Sequence, residues 1–195
     1  MTAEDFYKEG HRALQDRFGT RALADRWTET VIKDEIADWQ MKMVERAPYF
    51  WLATADAEGW PDVSYKGGRP GFVKVMDDKR TLMFPSYDGN GMFRSLGNIS
   101  VNPRVGLLFV DFARPKRFRV KGLATIIYDP AVLERWPGAE AVVSVDTRNA
   151  FSNCPRYVHD STTGKLSPYA PGGEVDPPVP EWKEWDDVKP LLPNR

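Results

Sequence analysis

The spacing of hydrophobic residues changes near residue 48, which divides the chain into a helical start and a strand-rich remainder. Before that point apolar residues recur three or four positions apart, as they do along one face of an amphipathic helix. A first helix is predicted to begin at a capping box of Thr2 and Asp5 and to end at Gly19. A second is predicted over 34–45 and is ended by Pro48. We expect both helices to be packing elements, with two apolar faces: Phe6, Ala13, Leu14 and Phe18 in the first, and Ile36, Trp39, Met43 and Val44 in the second.

From residue 49 the pattern becomes one of short apolar or alternating runs separated by Gly, Pro and Asp, which is typical of strands joined by hairpin turns. The predicted strands are 49–55, 62–66, 72–76, 81–84, 105–111, 117–128 and 141–147. One short helix is expected after residue 93, and another from Pro130 through Trp136. Short, closely spaced strands predict an antiparallel barrel or sandwich, and the added helices make the class mainly β, of the α+β type.

The stretch 85–98 links a predicted strand to a predicted helix and carries the strongest local sign of a binding site. Gly89, Asn90 and Gly91 favour positive φ, which can turn backbone N–H groups towards one point. Arg94 and Ser95 follow at the start of the helix. A strand, a glycine-rich turn and a helix N-terminus can together hold a phosphate. The other interpretation is a polar turn with a solvated arginine, and the local features favour neither.

Ser64 and Lys66 add a second group of polar side chains. They lie two residues apart in a predicted strand and therefore point to the same side of the sheet. If that strand lies near the stretch 85–98, one region of the sheet collects a lysine, an arginine, hydroxyl groups and aromatic residues. This set of groups suits a phosphate joined to a flat ring, which favours a nucleotide-like cofactor.

Composition and charge exclude several function classes. The 195 residues carry 27 basic and 28 acidic side chains, and this balance gives no electrostatic reason to expect a nucleic-acid or membrane-surface partner. The acidic first residues lack the basic and apolar regions of a signal peptide. No apolar run approaches the ~18 residues of a membrane span. We therefore expect a folded, cytoplasmic protein with no membrane partner.

Motifs for catalysis or metal binding are sparse. The two histidines, His11 and His159, come with no Gly-x-Ser-x-Gly elbow, and there is no Walker loop. The single cysteine, Cys154, excludes an internal disulfide, and we expect no metal site. A catalytic pair of Cys154 and His159 is conceivable, but nothing nearby in sequence would activate the thiol. We interpret Cys154 as a buried structural residue and assign no catalytic residue.

At four places in order, and at a fifth later one, the chain resembles the pyridoxamine 5′-phosphate oxidase-like, FMN-binding split-barrel family. The four stretches are Phe-Trp-Leu-Ala-Thr at 50–54, Pro-Asp-Val-Ser-Tyr-Lys-Gly-Gly at 61–68, Tyr-Asp-Gly-Asn-Gly-Met-Phe-Arg-Ser-Leu-Gly-Asn at 87–98 and Asn-Pro-Arg-Val-Gly-Leu-Leu-Phe at 102–109. Asn-Cys-Pro-Arg-Tyr at 153–157 is similar to a motif of one bacterial subgroup. The resemblance covers about residues 50–159, most of the chain.

The resemblance implies a six-stranded antiparallel split β-barrel that forms a homodimer and binds FMN in two grooves between the subunits. It divides the chain into an N-terminal helical segment (1–48), the flavin-binding barrel (49–160) and a Pro-rich C-terminal extension packed on the surface (161–195). The residues that match the family's phosphate site are Ser64, Lys66, Arg94 and Ser95, with Gly67 beside them. Those expected along the ribityl chain and ring are Phe84, Ser86, Tyr87 and Asn90. Those expected to reach the flavin from the partner subunit are Asn153, Arg156 and Tyr157.

Departures from the family pattern limit what the resemblance implies. Enzymes that form pyridoxal phosphate end with an Arg-x-His motif in a Trp-rich strand, whereas Arg156 and His159 are spaced differently and the tail is rich in proline. This argues against oxidation of pyridoxamine phosphate. The first hypothesis is an FMN-dependent oxidoreductase acting on another small molecule or electron donor. A non-catalytic binder of flavin, F420 or haem for sensing or storage is the second, and a barrel that has lost its cofactor is the third.

Overall fold

Residues 2–173 and 175–193 are described by the computed structural model, and their strands form one antiparallel sheet. The strands are β1 (Tyr49–Ala55), β2 (Pro61–Gly67), β3 (Lys74–Val75), β4 (Thr81–Tyr87), β5 (Arg104–Asp111), β6 (Lys116–Ile127) and β7 (Ala139–Asn153). The helices are α1 (Ala3–Phe6), α2 (Glu9–Arg17), α3 (Arg21–Thr30), α4 (Asp38–Arg46), α5 (Arg94–Val101) and α6 (Pro130–Leu133), followed by 3₁₀ turns at Glu181–Glu184 and Lys189–Leu191. The strand order in the sheet is β2-β1-β5-β6-β7-β4-β3.

The sheet bends until its inner face meets itself. Phe50 of β1 and Phe84 of β4 are separated in the sheet by β5, β6 and β7, yet their ring centroids are 4.9 Å apart. Because neighbouring strands lie about 4.8 Å apart, a flat sheet would hold β1 and β4 roughly 19 Å apart. The sheet therefore forms a barrel around these rings. Between β2 and β3 the described residues form no backbone pairing, so the barrel is open along that side.

The predicted α+β antiparallel barrel is confirmed, with the two-residue β3 as a seventh strand. Three strands differ from the prediction by more than two residues in length. β4 continues to Tyr87 because its last residues pair with the start of β7. β3 is shorter because Phe72 and Val73 are buried without pairing, in a turn where the Phe72 N–H donates to the Arg69 carbonyl at 2.9 Å. β7 continues to Asn153 because its last residues pair with the first part of β6, beyond an irregularity at Gly122. A Cβ at Gly122 would collide with the backbone of Asp146, so this irregularity requires glycine.

The first predicted helix is two helices in the structure. The capping box at its start is confirmed, with the Asp5 N–H donating to Thr2 Oγ1 at 3.2 Å and the Thr2 N–H donating to Asp5 Oδ2 at 2.9 Å. The helix stops at Phe6 and a second one begins at Glu9. The predicted apolar face is wrong for α2, which buries no residue and leaves Leu14 56% exposed. The apolar spacing there is therefore not a packing stripe.

Helix α3 was not predicted, because its buried residues, Leu23, Ala24 and Thr28, do not form a continuous apolar stripe. The predicted helix over 34–45 corresponds to α4, and the predicted packing residues Ile36 and Val44 are completely buried. Trp39, in contrast, remains about half exposed.

The two ends of the chain meet on the outer side of the barrel. Phe6 packs edge-on against Phe151 of β7 at 5.7 Å between ring centroids. Trp27 of α3 packs edge-on against Trp182 at 5.6 Å, and Arg26 Nε donates to Asp187 at 3.0 Å. The division at residues 48 and 160 stays a prediction. Within the described residues, every helix is too short or too polar to cross a membrane.

Barrel burial predicts a large cost for truncation inside the sheet. Leu52 of β1 is 1% exposed, so Leu52→Ala should lower the free energy of unfolding by about 2–5 kcal/mol through lost burial and the cavity left behind. Leu14→Ala is the matched control and should change it by less than about 0.5 kcal/mol. Urea unfolding measures both, and equal costs for the two variants would contradict the assignment of the core.

Candidate functional site

Strand β2 carries three polar side chains, here called the polar row, on the face of the sheet where the side chains of β1 are buried. In the register of the two strands, Lys66 lies opposite Phe50, Ser64 opposite Leu52 and Asp62 opposite Thr54. Since cross-strand partners point to the same face, these three polar side chains share the face of buried side chains on β1. They are only half-buried, because β2 is the edge strand at the open side of the barrel.

Helix α5 packs beside this row and is fastened to the sheet by two hydrogen bonds, one to the row and one to β1. Ser95 Oγ lies 2.9 Å from Ser64 Oγ, and Asn98 Nδ2 donates to Thr54 Oγ1 at 3.0 Å. Ser95, Asn98 and Thr54 are all buried. The structure thus brings together Ser64 and Ser95, which the sequence placed in different elements. Asn98 and Thr54 were missed by sequence reasoning, which had no signal for them beyond their spacing from Ser95 and Leu52.

The first turn of α5 offers backbone donors to the same region. Phe93, its N-cap, has a left-handed φ of 48° and provides no side-chain cap. The Gly97 N–H is the first to bond back, to the Phe93 carbonyl at 2.7 Å. In the described structure the N–H groups of Arg94, Ser95 and Leu96 therefore have no acceptor. Such donors, with the helix dipole behind them, favour an anion.

Two cations and one carboxylate set the charge of the site. The Lys66 ammonium makes no ion pair or hydrogen bond with any described residue. Burial lowers the pKa of Lys66, and the nearby charge of Asp62 only partly offsets this. The Arg94 guanidinium is more than half exposed and lies 3.8 Å from the Asp62 carboxylate, a long contact. We name these residues, Asp62, Ser64, Lys66, Arg94 and Ser95 with the first turn of α5, the β2–α5 cradle.

The remaining residues expected along the cofactor differ in how accessible they are to a ligand. Phe84 is 1% exposed and packs in the barrel core, so its ring is not available to a ligand at the surface. Ser86 is half-buried at the end of β4, and Tyr87 and Gly67 are exposed at strand ends. The Asn90 side chain accepts a hydrogen bond from the Met92 N–H at 3.1 Å and so shapes its own loop.

Residues of the 153–157 motif lie elsewhere in the protomer. Asn153 and Arg156 line a separate cavity of about 850 Å³, which shares no lining residue with the cradle, while Tyr157 is exposed beside it. Cys154 is half-buried rather than buried as predicted. The His159 side chain accepts a hydrogen bond from the Ser167 N–H at 3.0 Å, which fixes the following loop.

An unpaired, half-buried lysine should cost the empty protein stability. Between the lowered folded pKa of Lys66 and the ordinary value of 10.5, the unfolded chain binds more protons, so stability rises with pH in that window. Lys66→Met should therefore raise the free energy of unfolding at pH 7, by an amount that narrows as the pH approaches 10.5. Lys42→Met, on the exposed side of α4, is the control. It should leave the free energy of unfolding and its pH dependence unchanged. Urea unfolding of ligand-free protein across this pH range measures both, and a destabilised Lys66→Met variant would contradict the assignment.

Solved structures from several bacteria are similar to this chain. A protein from Lactobacillus delbrueckii, provisionally described as a pyridoxamine 5′-phosphate oxidase, is 23% identical, with a TM-score of 0.50 over 61% of this chain and 95% of that one. HupZ from Group A Streptococcus is 24% identical, with a TM-score of 0.49 over 60% of this chain and 93% of that one. HutZ from Vibrio cholerae, described as a heme storage protein, is 17% identical, with a TM-score of 0.39 over 58% and 89%. At these levels only the first bears on the chain, and it supports the fold alone.

A match to a family model supports family membership as well as the fold. A search of the curated proteins gives no match. The model described as pyridoxamine 5′-phosphate oxidase matches residues 32–150, more than half of the chain, and this range includes the whole β2–α5 cradle. The chain therefore belongs to the pyridoxamine 5′-phosphate oxidase family.

Proposed function

We propose that the protein binds FMN at the β2–α5 cradle and acts as an oxidoreductase on a small molecule other than pyridoxamine phosphate. The observation that carries the proposal is the Lys66 ammonium, half-buried without a partner in the described structure. It lies on the same face of β2 as Ser64, whose hydroxyl contacts Ser95 in the uncapped first turn of α5. A phosphate group would supply the missing negative charge and accept from both kinds of donor. Family membership supports the same assignment.

Each cradle residue has a distinct part in this proposal. Lys66 and Arg94 neutralise the phosphate, and the Ser64–Ser95 pair contributes hydroxyl hydrogen bonds. Asp62 opposes them, because its carboxylate competes for Arg94 at 3.8 Å. The bound flavin supplies hydride chemistry at its N5 atom, and the protein supplies binding, orientation and hydrogen bonds to the ring. Ser86 and Tyr87, at the end of β4, are the residues we expect along the ribityl chain.

A second subunit completes the proposed site. The outer face of β2 exposes apolar side chains, with Val63 66% and Tyr65 61% accessible. Strand surface of this kind requires cover, and a twofold interface is the commonest way to provide it. We propose a homodimer in which the exposed Tyr157 approaches the flavin held by the other subunit, whereas Asn153 and Arg156 line the separate cavity.

One observation favours a non-catalytic binder as the second candidate. The described part of the cradle contains no histidine: His11 lines the separate cavity, and His159 is engaged in its own loop. Binding for storage or sensing needs no proton-transfer group, whereas many oxidations do. The same cradle also suits the phosphate of F420, and haem is the remaining cofactor to test. Oxidation of reduced nicotinamide or F420 in the presence of an electron acceptor distinguishes an enzyme from a binder.

Purified protein should be yellow, with the absorbance spectrum of an oxidised flavin. Arg94→Ala and Lys66→Met should each weaken FMN binding by roughly 10- to 100-fold, since each removes a charge-assisted hydrogen bond to phosphate. Asp62→Asn should strengthen binding, because Arg94 then has no competing carboxylate. Titration of the apoprotein with FMN, followed by quenching of flavin fluorescence, measures all three.

Lys42→Met is the control for that titration and should bind FMN as the parent does. Unchanged affinity in both Arg94→Ala and Lys66→Met would remove the phosphate role from the cradle. A haem or deazaflavin spectrum would replace FMN with that cofactor, and a colourless protein that does not bind FMN would favour a barrel without cofactor.

The dimer has its own test. Sedimentation should show the parent as a dimer and Val63→Asp as a monomer, because the new carboxylate would be buried in the interface. Val179→Asp is the matched control, since Val179 is 64% exposed in the C-terminal segment and should leave the dimer intact. If the site is shared, Val63→Asp should also lose FMN affinity, and a monomeric parent would contradict the shared site.

A further inference from the structure

The cavity of about 850 Å³ is built mainly by the two ends of the chain. Its walls come from α1, α2, α3, the end of β7 and the C-terminal segment, with two side chains from β6. Most of these residues lie outside the range 32–150 that matches the family model. The cavity therefore lies mostly outside the part of the chain that the family model matches.

Aromatic rings form much of the lining. Phe6 meets Phe151, and Trp27 meets Trp182, so each of these contacts joins a residue of the N-terminal segment to one near or in the C-terminal segment. Tyr169 and Trp185 line the same space. Aromatic walls at this density favour a flat, apolar ligand that can stack or pack against ring edges.

Cations also line the cavity, and they lack acidic partners. Arg119 and Lys121 point the same way from β6 because they are two residues apart, and Arg156 approaches from the loop after β7. None of the three forms an ion pair with a described residue, and Glu181 is the sole carboxylate among the lining residues. The local charge therefore favours an anion.

Burial and a like charge act against the Lys121 ammonium, although one aromatic ring attracts it. Its Nζ lies 4.8 Å from the centre of the Phe6 ring, within range of a cation–π interaction. Burial lowers the pKa of Lys121, and the neighbouring positive charge of Arg119 lowers it further. A negative group between these two side chains would relieve the repulsion and replace the lost hydration.

Unpaired polar atoms mark the same walls. Asn153 Oδ1, Arg156 Nε and Trp182 Nε1 are buried and have no hydrogen-bond partner among the described residues. All three belong to residues that line the cavity. Because an unsatisfied buried donor or acceptor costs free energy, these walls are better suited to an occupied cavity than to a dry one.

We propose that this cavity is a second ligand site, which binds a flat aromatic carboxylate with its rings among Phe6, Trp27 and Trp182 and its carboxylate at Lys121 and Arg119. The site is separate from the β2–α5 cradle, and its occupancy does not depend on which cofactor the cradle holds.

Isothermal titration calorimetry of the full chain with 1-naphthoate tests the proposal, with the neutral 1-naphthalenemethanol as the matched probe. Naphthoate should bind with one site per chain and at least about tenfold more tightly than the alcohol, since only it carries the charge. Lys121→Met and Arg119→Gln should each reduce naphthoate affinity about tenfold and leave the alcohol unchanged. Lys165→Met removes an exposed lysine from a loop outside the cavity and should have no effect.

Competition with FMN separates this site from the cradle. Naphthoate affinity should be the same in the presence of saturating FMN and in the Lys66→Met variant. Equal binding of the two probes, unchanged affinity in both charge variants, or displacement of naphthoate by FMN would each overturn the proposal. Circular dichroism tests whether both charge variants fold. If either does not fold, Arg156→Gln is measured in its place.

Discussion

The rings of Phe50 and Phe84 lie on strands that three others separate in the sheet, and their contact requires the sheet to curl. The described strands form a single sheet, and a sheet without a second sheet against its apolar face can bury that face by curling around it. The curl leaves β2 as an edge at the open side, with its inward face only partly covered. The polar row of β2 occupies the place where the core ends.

Helix α5 connects this constraint to the site. Its two hydrogen bonds to the sheet, from Ser95 and Asn98, fix the helix so that its uncapped first turn lies beside Ser64. The donors of the cradle are thus held in place by buried contacts rather than by the exposed loop that precedes the helix. A site preorganised in this way loses little conformational entropy when a ligand binds. Lys66, in contrast, lowers the stability of the ligand-free protein, since its charge is half-buried without a partner among the described residues.

The terminal segments pack against the barrel, and both lie largely outside the central part of the chain that the family model matches. They meet each other through Trp27 and Trp182 and meet β7 through Phe6. The cavity that they line carries cations that form no ion pair with a described residue. The cradle and the cavity therefore lie in different parts of the chain. The cradle lies within the matched range 32–150, and the cavity depends on residues on both sides of that range.

The sequence by itself determined the strands, the class of fold and four of the five cradle residues, because alternation along a strand and glycine-rich turns are local properties. Ser64 with Lys66 and Arg94 with Ser95 could be chosen in this way, and Asp62 could have been found from the same alternation. Only the tertiary structure decided that Phe84 is core, that Leu14 and Phe18 are exposed, and that Asn153 and Arg156 line a cavity apart from the cradle. These outcomes depend on which distant segments come into contact, and the curl of the sheet and the meeting of the chain ends set those contacts.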